Sequence, residues 1–349
     1  MSAPTKLQNL KKMSVMRKLL LSTLLLLLFA LSSTAQQDPM FTKYMFNSLA
    51  FNPAYAGAKD HMSITLLHRD QWLGIEGAPR TQSFTIHSPS ESDKVGLGLS
   101  VINDEIGVNK TLTAMASYAY RLQLGQGKLC LGLQGGILNW RADFSKLELL
   151  NDSDQAFMNA SPSMTPNMWI PNVGVGLHYY IPNKFYIGFS VPHILQMALN
   201  STQNSMMAQQ FRHYYLFAGG AVPLSSSLVF KPSLLIKNVG LFGEFRPEDD
   251  PYGLIGAPTE FDVDLSLLMY DALWIGASFR SAFEGFNGTS SFDSGDIWVS
   301  YYLRSGFRVG VSYDYTLSDL GAFTQGSYEV MLGYEMNYKT KQISTPRYF

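Results

Sequence analysis

The sequence is poor in charged residues and in cysteine. Asp, Glu, Lys and Arg make up 15% of its 349 residues, whereas soluble domains average about 25%. Cys130 is the single cysteine, so an intrachain disulfide and a cysteine-based metal site are both excluded. The Gly-x-Ser-x-Gly, His-Glu-x-x-His and phosphate-loop motifs are absent as well. We therefore expect no catalytic site, no metal and no cofactor, and we do not expect an enzyme.

Aromatic residues and glycine are abundant instead. Phe, Trp and Tyr make up 13% of the chain, and 29 residues are glycine. The mean hydropathy is 0.00. In a transmembrane β-barrel, lipid-facing apolar residues alternate with lumen-facing polar ones, so hydropathy cancels along each strand. The composition therefore favours a membrane barrel over both a helical membrane bundle and an ordinary soluble enzyme.

Residues 1–35 have the organisation of a secretory leader. Basic residues precede an apolar run from Leu19 to Leu31, and Ser33-Thr34-Ala35 supplies small residues for cleavage. The run of 13 residues is shorter than the roughly 20 that a transmembrane helix needs, although a short N-terminal membrane anchor is the alternative. Cleavage near Ala35 would remove five basic residues and no acidic ones. The acidic mature chain disfavours nucleic acid as a partner.

From residue 61 onward, apolar and polar residues alternate over short runs. Between Phe307 and Thr316, the odd-numbered positions carry large apolar side chains, and the even-numbered ones include Arg308 and Asp314. Successive strand residues point to opposite sides of a sheet, so each run has one apolar face. The pattern predicts fourteen strands, at residues 61–70, 80–88, 94–103, 110–123, 128–141, 170–181, 184–192, 211–223, 227–237, 259–270, 273–281, 293–303, 306–316 and 327–338.

The connections between these runs alternate in length. Every second connection is a short turn, such as Pro182-Asn183, and the others, including 71–79, 104–109 and 142–169, are longer. Outer-membrane barrels have short periplasmic turns and longer extracellular loops. We therefore predict an all-β fold, a transmembrane antiparallel up-and-down β-barrel of about 14 strands, with both of its ends on the periplasmic side. A soluble β-sandwich is the alternative, because its strands alternate too.

Charged residues fall on the polar faces of the late strands. We expect them to pair inside the barrel, and a polar lumen that guides a solute or a peptide is the functional alternative. His68, His87 and Glu335 are assigned to the same inner face. The candidate lumen charge network consists of Asp262, Asp264, Arg280, Arg308, Asp314 and Glu329.

The stretch between the leader and the first strand differs from the rest of the chain. Residues 36–60 are rich in aromatics and Asn and keep neither a helical nor a strand period. We expect this stretch to lie at the periplasmic mouth or to fold into the lumen as a plug, helical in part over 40–49 and ended by Asn52-Pro53. The predicted organisation is thus a leader (1–35), a plug (36–60) and a barrel (61–349). Candidate plug or partner-contact residues are Tyr44, Phe46, Asn52, Pro53, Tyr55 and Gly57, with Trp72 in the first loop.

Motifs spread over the mature chain carry a resemblance to a known family. They include 36–41 (Gln-Gln-Asp-Pro-Met-Phe), 52–57 (Asn-Pro-Ala-Tyr-Ala-Gly), 77–82 (Gly-Ala-Pro-Arg-Thr-Gln), 188–193 (Gly-Phe-Ser-Val-Pro-His) and 344–349 (Ser-Thr-Pro-Arg-Tyr-Phe). Together they resemble the PorP/SprF family, outer-membrane proteins of the type IX secretion system of Bacteroidota.

The resemblance implies a role in protein export across the outer membrane. The implied partners are a secreted adhesin-like protein with a C-terminal secretion domain, often one used in gliding motility, other secretion-system proteins, and membrane lipid. It assigns no contact residue. An outer-membrane channel or transporter for small or hydrophobic solutes is the alternative function, and an outer-membrane enzyme is disfavoured by the missing catalytic motifs.

Overall fold

The computed structural model describes residues 39, 41–143, 145, 165–195, 197–199, 208–210, 212–239, 259–283 and 292–336. The expected leader, the first residues of the expected plug and the motif at 344–349 lie outside this set. Within it, no helix has the length and apolar character needed to cross a membrane.

Strands make up most of the described chain, because the period-two alternation places one apolar face outward along each run. They are β1 (Met62–Asp70), β2 (Arg80–Pro89), β3 (Val95–Ile106), β4 (Asn109–Leu124), β5 (Gly127–Ala142), β6 (Asn167–Ile181), β7 (Phe185–Val191), β8 (Met197–Leu199), β9 (Ala208–Gln210), β10 (His213–Gly220), β11 (Val222–Ser225), β12 (Leu228–Val239), β13 (Glu260–Met269), β14 (Leu273–Ala282), β15 (Ser294–Tyr302), β16 (Phe307–Thr316) and β17 (Ser327–Met336).

The strands close into one antiparallel barrel. Each wall strand pairs with its neighbours in sequence, and β1 pairs with β17 to complete the ring. Strands β10 and β11 are separated only by Ala221 and both pair with β12, so they form one wall strand. The short strands β8 and β9 pair with each other in a separate sheet. The wall therefore has fourteen strands, which confirms the predicted fold.

Burial alternates along the wall as the sequence predicts. In β16, Arg308 is 1% exposed and faces the lumen, whereas Phe307 is 54% exposed and faces outward. In β1 the buried, inward residues are Ser63, Thr65, Leu67 and Arg69. The assignment of His68 to the inner face is therefore wrong. Its ring lies on the outer side and hydrogen-bonds the Asp70 carboxylate at 3.0 Å, so it needs no partner in the lumen.

The two ends of the barrel carry different connections. We call the end where β1 begins and β17 ends the turn end, and the opposite end, where β1 ends and β17 begins, the loop end. Turn-end connections are short, for example three residues between β13 and β14. One expected loop-end connection, 104–109, is wrong, because β3 and β4 continue until only Gly107 and Val108 separate them. Gly107 has a φ of 57°, which allows this tight hairpin turn.

Candidate functional site

The barrel lumen contains the chain's own N-terminal segment, residues 41–60, which we call the plug segment. At the loop end, the Phe41 carbonyl accepts a hydrogen bond from Arg280 Nη2 at 3.3 Å. At the turn end, Lys59 Nζ lies 2.5 Å from Glu335 Oε1. Arg280 is near the loop end of β14, and Glu335 is near the turn end of β17. The plug segment therefore crosses the lumen from loop end to turn end before β1 begins.

The plug segment consists of short 3₁₀ turns. The helical character expected over 40–49 takes the form of two separate turns, Tyr44–Phe46 and Ser48–Ala50. A third turn, Pro53–Tyr55, begins where the helical stretch was expected to end. The Asn52 side chain caps this third turn by accepting a hydrogen bond from the Ala54 amide at 2.9 Å. Asn is a favoured cap, and proline fits the first position of a helical turn, so Asn52-Pro53 starts a turn here.

Wall side chains and carbonyls satisfy much of the plug segment's polar surface. Ser190 Oγ donates to the Phe51 carbonyl at 2.7 Å. The Gly57 amide donates to His87 Nδ1 at 3.1 Å. Asn52 Nδ2 donates to the Leu177 carbonyl at 3.0 Å. Buried backbone groups need such partners, and these bonds fix the irregular path of the segment inside the lumen.

Glycines in the wall make room for the plug backbone. A Cβ atom at Gly132 of β5 would overlap the backbone of Pro53 and Ala54. A Cβ atom at Gly176 of β6 would overlap the Asn52 side chain, and one at Gly96 of β3 would overlap the Ala56 carbonyl. The sequence indicates only that these glycines interrupt strands. In the structure all three glycines face the lumen and lie against the plug segment, so the absence of a side chain at these positions allows the segment to pack there.

Aromatic contacts anchor the plug segment at both sides of the lumen. The Phe46 ring meets Trp274 and Trp298 edge-on, with centroid distances of 4.5 Å and 5.5 Å. The Arg308 guanidinium lies 4.6 Å from the centroid of the Phe46 ring. On the other side, Tyr55 contacts the rings of His87 and His178. Edge-to-face pairs add about 0.5–1.5 kcal/mol each beyond the area they bury.

A charged cluster holds the start of the plug segment. The Thr42 and Lys43 amides donate to the two Glu329 carboxylate oxygens at 2.9 Å and 3.1 Å. Arg69 Nη1 lies 2.5 Å from Asp314 Oδ2 and also donates to the Thr42 hydroxyl. Burial lowers the pKa of the Lys43 ammonium, while Glu329 and Asp314 act in the opposite direction. Arg69 and Lys43 were not among the predicted lumen charges, although Arg69 alternates with Thr65 and Leu67 on the inner face of β1.

The other candidate charges lie in separate groups. Asp262 Oδ2 accepts two hydrogen bonds from Arg280, at 2.9 Å and 2.6 Å. Asp264 Oδ2 accepts one from the Trp298 indole at 2.6 Å. Arg308 donates to the Tyr302 hydroxyl at 3.1 Å. The six candidate charges thus form several local contacts, and the described residues include no group of His, Cys, Asp and Glu arranged to hold a metal ion.

Trp72 lies apart from the other plug or partner-contact candidates. Tyr44, Phe46, Asn52, Pro53, Tyr55 and Gly57 are all buried in the lumen. Trp72 is half-buried in the first loop, where its amide donates to Ser327 Oγ at 3.1 Å. This loop is joined to the stretch before β17 by backbone hydrogen bonds between Leu73 and Gly326 and between Gln325 and Leu73, both 2.8 Å. Trp72 is therefore at the rim of the loop end.

A cavity of about 330 Å³ lies between the plug segment and the loop end. Phe41, Tyr44 and Phe51 of the plug segment line its inner end, so the plug closes it toward the turn end. Its walls come from β3, β4, β5, β10, β12, β13 and β14. The wall residues include Ile102, Thr113, Leu138, Trp140, His193, His213, Tyr215, Lys237, Glu260, Phe261, Asp262 and Arg280.

Comparison with known proteins identifies the family. The model of the type IX secretion system membrane protein PorP/SprF matches residues 33–334. The chain belongs to the PorP/SprF family. No curated protein matches it. As an antiparallel barrel of this secretion family, it is an outer-membrane protein.

Solved structures that are similar to this PorP/SprF chain match it at low sequence identity. The CymD monoaromatic hydrocarbon channel is 13% identical, with a TM-score of 0.52 over 82% of this chain and 91% of CymD. The TodX deltaS2S3 mutant monoaromatic hydrocarbon channel gives 8% identity and a TM-score of 0.47, covering 88% and 96% of the two chains. Omp33 of Acinetobacter baumannii gives 9% and 0.43, covering 80% and 100%. At such identities the likeness to CymD concerns the fold alone.

Proposed function

We propose that this barrel assists the export, or the anchoring at the cell surface, of one cognate secreted protein. The proposed partner is adhesin-like, carries a C-terminal secretion domain and is handled together with other proteins of the type IX system. The family match over residues 33–334 is the observation that carries the proposal. Since the sequence lacks catalytic motifs, we propose a binding role and no enzymatic one.

The occupied lumen supports a role as a binding partner of the exported protein. The plug segment crosses the lumen and is held at both ends, by Glu329 near the loop end and by Glu335 near the turn end. A polypeptide passing through the barrel would have to displace these contacts and the aromatic packing around Phe46. We therefore propose that the exported protein uses another path and that this barrel acts beside it.

Trp72 is the proposed partner-facing residue. It lies at the rim of the loop end, whereas the six lumen candidates are buried and would serve as anchors of the plug segment. Aromatic side chains at accessible positions often dominate protein–protein contacts. The loop that carries Trp72 is held by backbone hydrogen bonds to Gly326 and Gln325, so it presents a stable surface.

We also propose that the leader is removed near Ala35, which would leave residues 36–60 as the plug and 61–349 as the barrel. Mass spectrometry of the protein isolated from outer membranes is expected to find Gln36 as the first residue. A mature protein that begins well before Gln36 would contradict this processing.

Gene deletion with complementation tests the proposed export role. Deletion is expected to remove one large protein from the cell surface and the medium while small-solute uptake stays normal. The wild-type gene should restore it, and Trp72→Ala should restore less. Trp169→Ala is the matched control, because Trp169 is 62% exposed on β6. Unchanged secretion after deletion would refute the proposal.

A channel or transporter for small or hydrophobic solutes is the second candidate function. The cavity at the loop end would be its entrance, and the plug segment would have to leave the lumen for a solute to pass. In that case, deletion would slow the uptake of a hydrophobic solute and leave the set of surface proteins unchanged. The same deletion strain therefore separates the two candidates, because secretion and uptake are measured in parallel.

A further inference from the structure

We propose that the loop-end cavity is a receptor site, closed only at its inner end, for a small aromatic molecule that carries a hydrogen-bond donor. This site goes beyond the proposed export role and does not depend on it. The cavity has a volume of about 330 Å³, at the lower end of the range of about 300–1,000 Å³ for small-molecule sites. Because the plug segment closes its inner end, a ligand that enters from the loop end is retained and does not pass through.

The lining of the cavity fits an aromatic ring. Apolar and aromatic side chains from the plug segment and from the wall line part of it, and polar side chains such as Asn109, Thr111 and Gln134 line the rest. Sites for small molecules combine such a lining with a few placed polar groups. The aromatic side chains at the cavity are Phe41, Tyr44, Phe51, Trp140, Tyr215 and Phe261.

The charged groups of the lining are largely paired with each other. Lys237 Nζ lies 2.9 Å from Glu260 Oε2, and Arg280 donates twice to Asp262 Oδ2. Both cations are thereby engaged by wall carboxylates. An anionic ligand would have to compete with Glu260 and Asp262 for these cations, so the cavity favours a neutral ligand.

Asp262, one of the residues that line the cavity, has a carboxylate oxygen without a partner in the described part of the chain. Asp262 is 3% exposed, and its second oxygen, Oδ1, is buried with no hydrogen-bond partner among the described residues. A buried carboxylate oxygen without a partner is unfavourable, and a ligand N–H or O–H would supply the missing bond. The geometry thus favours a donor-bearing ring such as indole or phenol over a plain hydrocarbon of the same shape.

Indole and indene form a matched pair of probes, because indene keeps the shape of indole and lacks the N–H. Binding is measured by calorimetry on the full-length protein in lipid nanodiscs, with empty nanodiscs subtracted. We expect indole to bind about tenfold more tightly than indene, as one hydrogen bond to a charged acceptor predicts, and indole-3-carboxylate to bind more weakly than both. Asp262→Asn is expected to remove the preference for indole over indene, since the amide can present N–H₂ to the ligand.

A second pair of variants locates the site independently of Asp262. Thr113→Trp fills the cavity from β4 and is expected to abolish the binding of both probes. Leu112→Trp, on the outer face of the same strand, should bind as the wild type does. Equal affinity of the wild type for indole and indene, or unchanged binding by Thr113→Trp, would overturn the proposal. Saturable binding of a tryptophan-containing peptide without any binding of indole would also overturn it, in favour of a polypeptide ligand.

Discussion

Gly132→Ala is expected to loosen the plug segment without disturbing the barrel wall. The new Cβ would overlap the backbone of Pro53 and Ala54, and the plug segment must move because, unlike the wall, it is not held by strand pairing. Gly135 of the same strand provides the matched control. A Cβ at Gly135 meets no atom within 4 Å, so Gly135→Ala changes the composition of β5 by the same amount without touching the plug.

The free-energy cost of Gly132→Ala follows from the overlap of the new methyl group with the plug segment. Forcing an extra methyl group into a packed site costs about 1–3 kcal/mol. Since about 1.4 kcal/mol corresponds to a factor of ten, the population with an undocked plug should rise about 5- to 150-fold. Gly176→Ala acts on the neighbouring Asn52, so the double variant is expected to deviate from additivity because both sites displace one segment.

Hydrogen exchange of the plug amides measures this population. The Ala50, Asn52 and Tyr55 amides donate to carbonyls within the plug segment itself, and they exchange when the segment leaves the lumen and frays. Their exchange should accelerate by the factor above in Gly132→Ala, while exchange in the β16 and β17 ladder stays unchanged. Wild-type exchange in Gly132→Ala, or equal acceleration in Gly135→Ala, would refute the idea that wall glycines determine docking of the plug.

Three further predictions concern the plug segment. Lys43→Met removes one of the two cations near the buried Glu329 carboxylate, which keeps Arg69 at 3.6 Å. This change should destabilise the protein to chemical denaturation by about 1.5–3 kcal/mol, whereas Lys110→Met, in an exposed pair, should cost under about 1 kcal/mol; equal costs would contradict a buried charge anchor. Phe46→Ala should cost about 3–5 kcal/mol in the same assay, and Phe323→Ala, at a position 74% exposed, should lie within about 0.5 kcal/mol of wild type. Deletion of residues 41–57 should raise the ion conductance of the barrel in planar bilayers well above that of the wild type; equal conductance would show that the plug segment does not seal the lumen.

The wall of the barrel can be predicted from the sequence because the alternation of apolar and polar residues that defines it is local. A residue's face follows from its parity within a strand, and Phe307 and Arg308 show this directly. The wrong prediction for His68 also has a local cause. A polar residue near the rim can find a hydrogen-bond partner outside the lumen, and for His68 this partner is Asp70. A shift of one residue in such an assignment exchanges the two faces.

The path of the plug segment could not be predicted, because its partners lie far away in sequence. Asn52-Pro53 carries both a signal for ending a helix and a signal for starting a turn, and the Leu177 carbonyl and Gly176 beneath Asn52 favour the second. The Lys43 and Arg69 cluster depends on Glu329, which reaches them only when the barrel is closed. Local propensity carries no information about such contacts.

The path of the plug segment also constrains the order of folding. Thr42 bonds Glu329 across a sequence separation of 287 residues, and the acceptor lies on the last strand of the wall. Contacts this distant in sequence form late, because a long loop must close before they contribute. The first residues of the plug segment therefore cannot reach their final position until β17 is in place beside β1. Docking of this segment therefore requires a closed barrel. In an incompletely assembled barrel, the aromatic residues of the plug segment would be accessible to proteases.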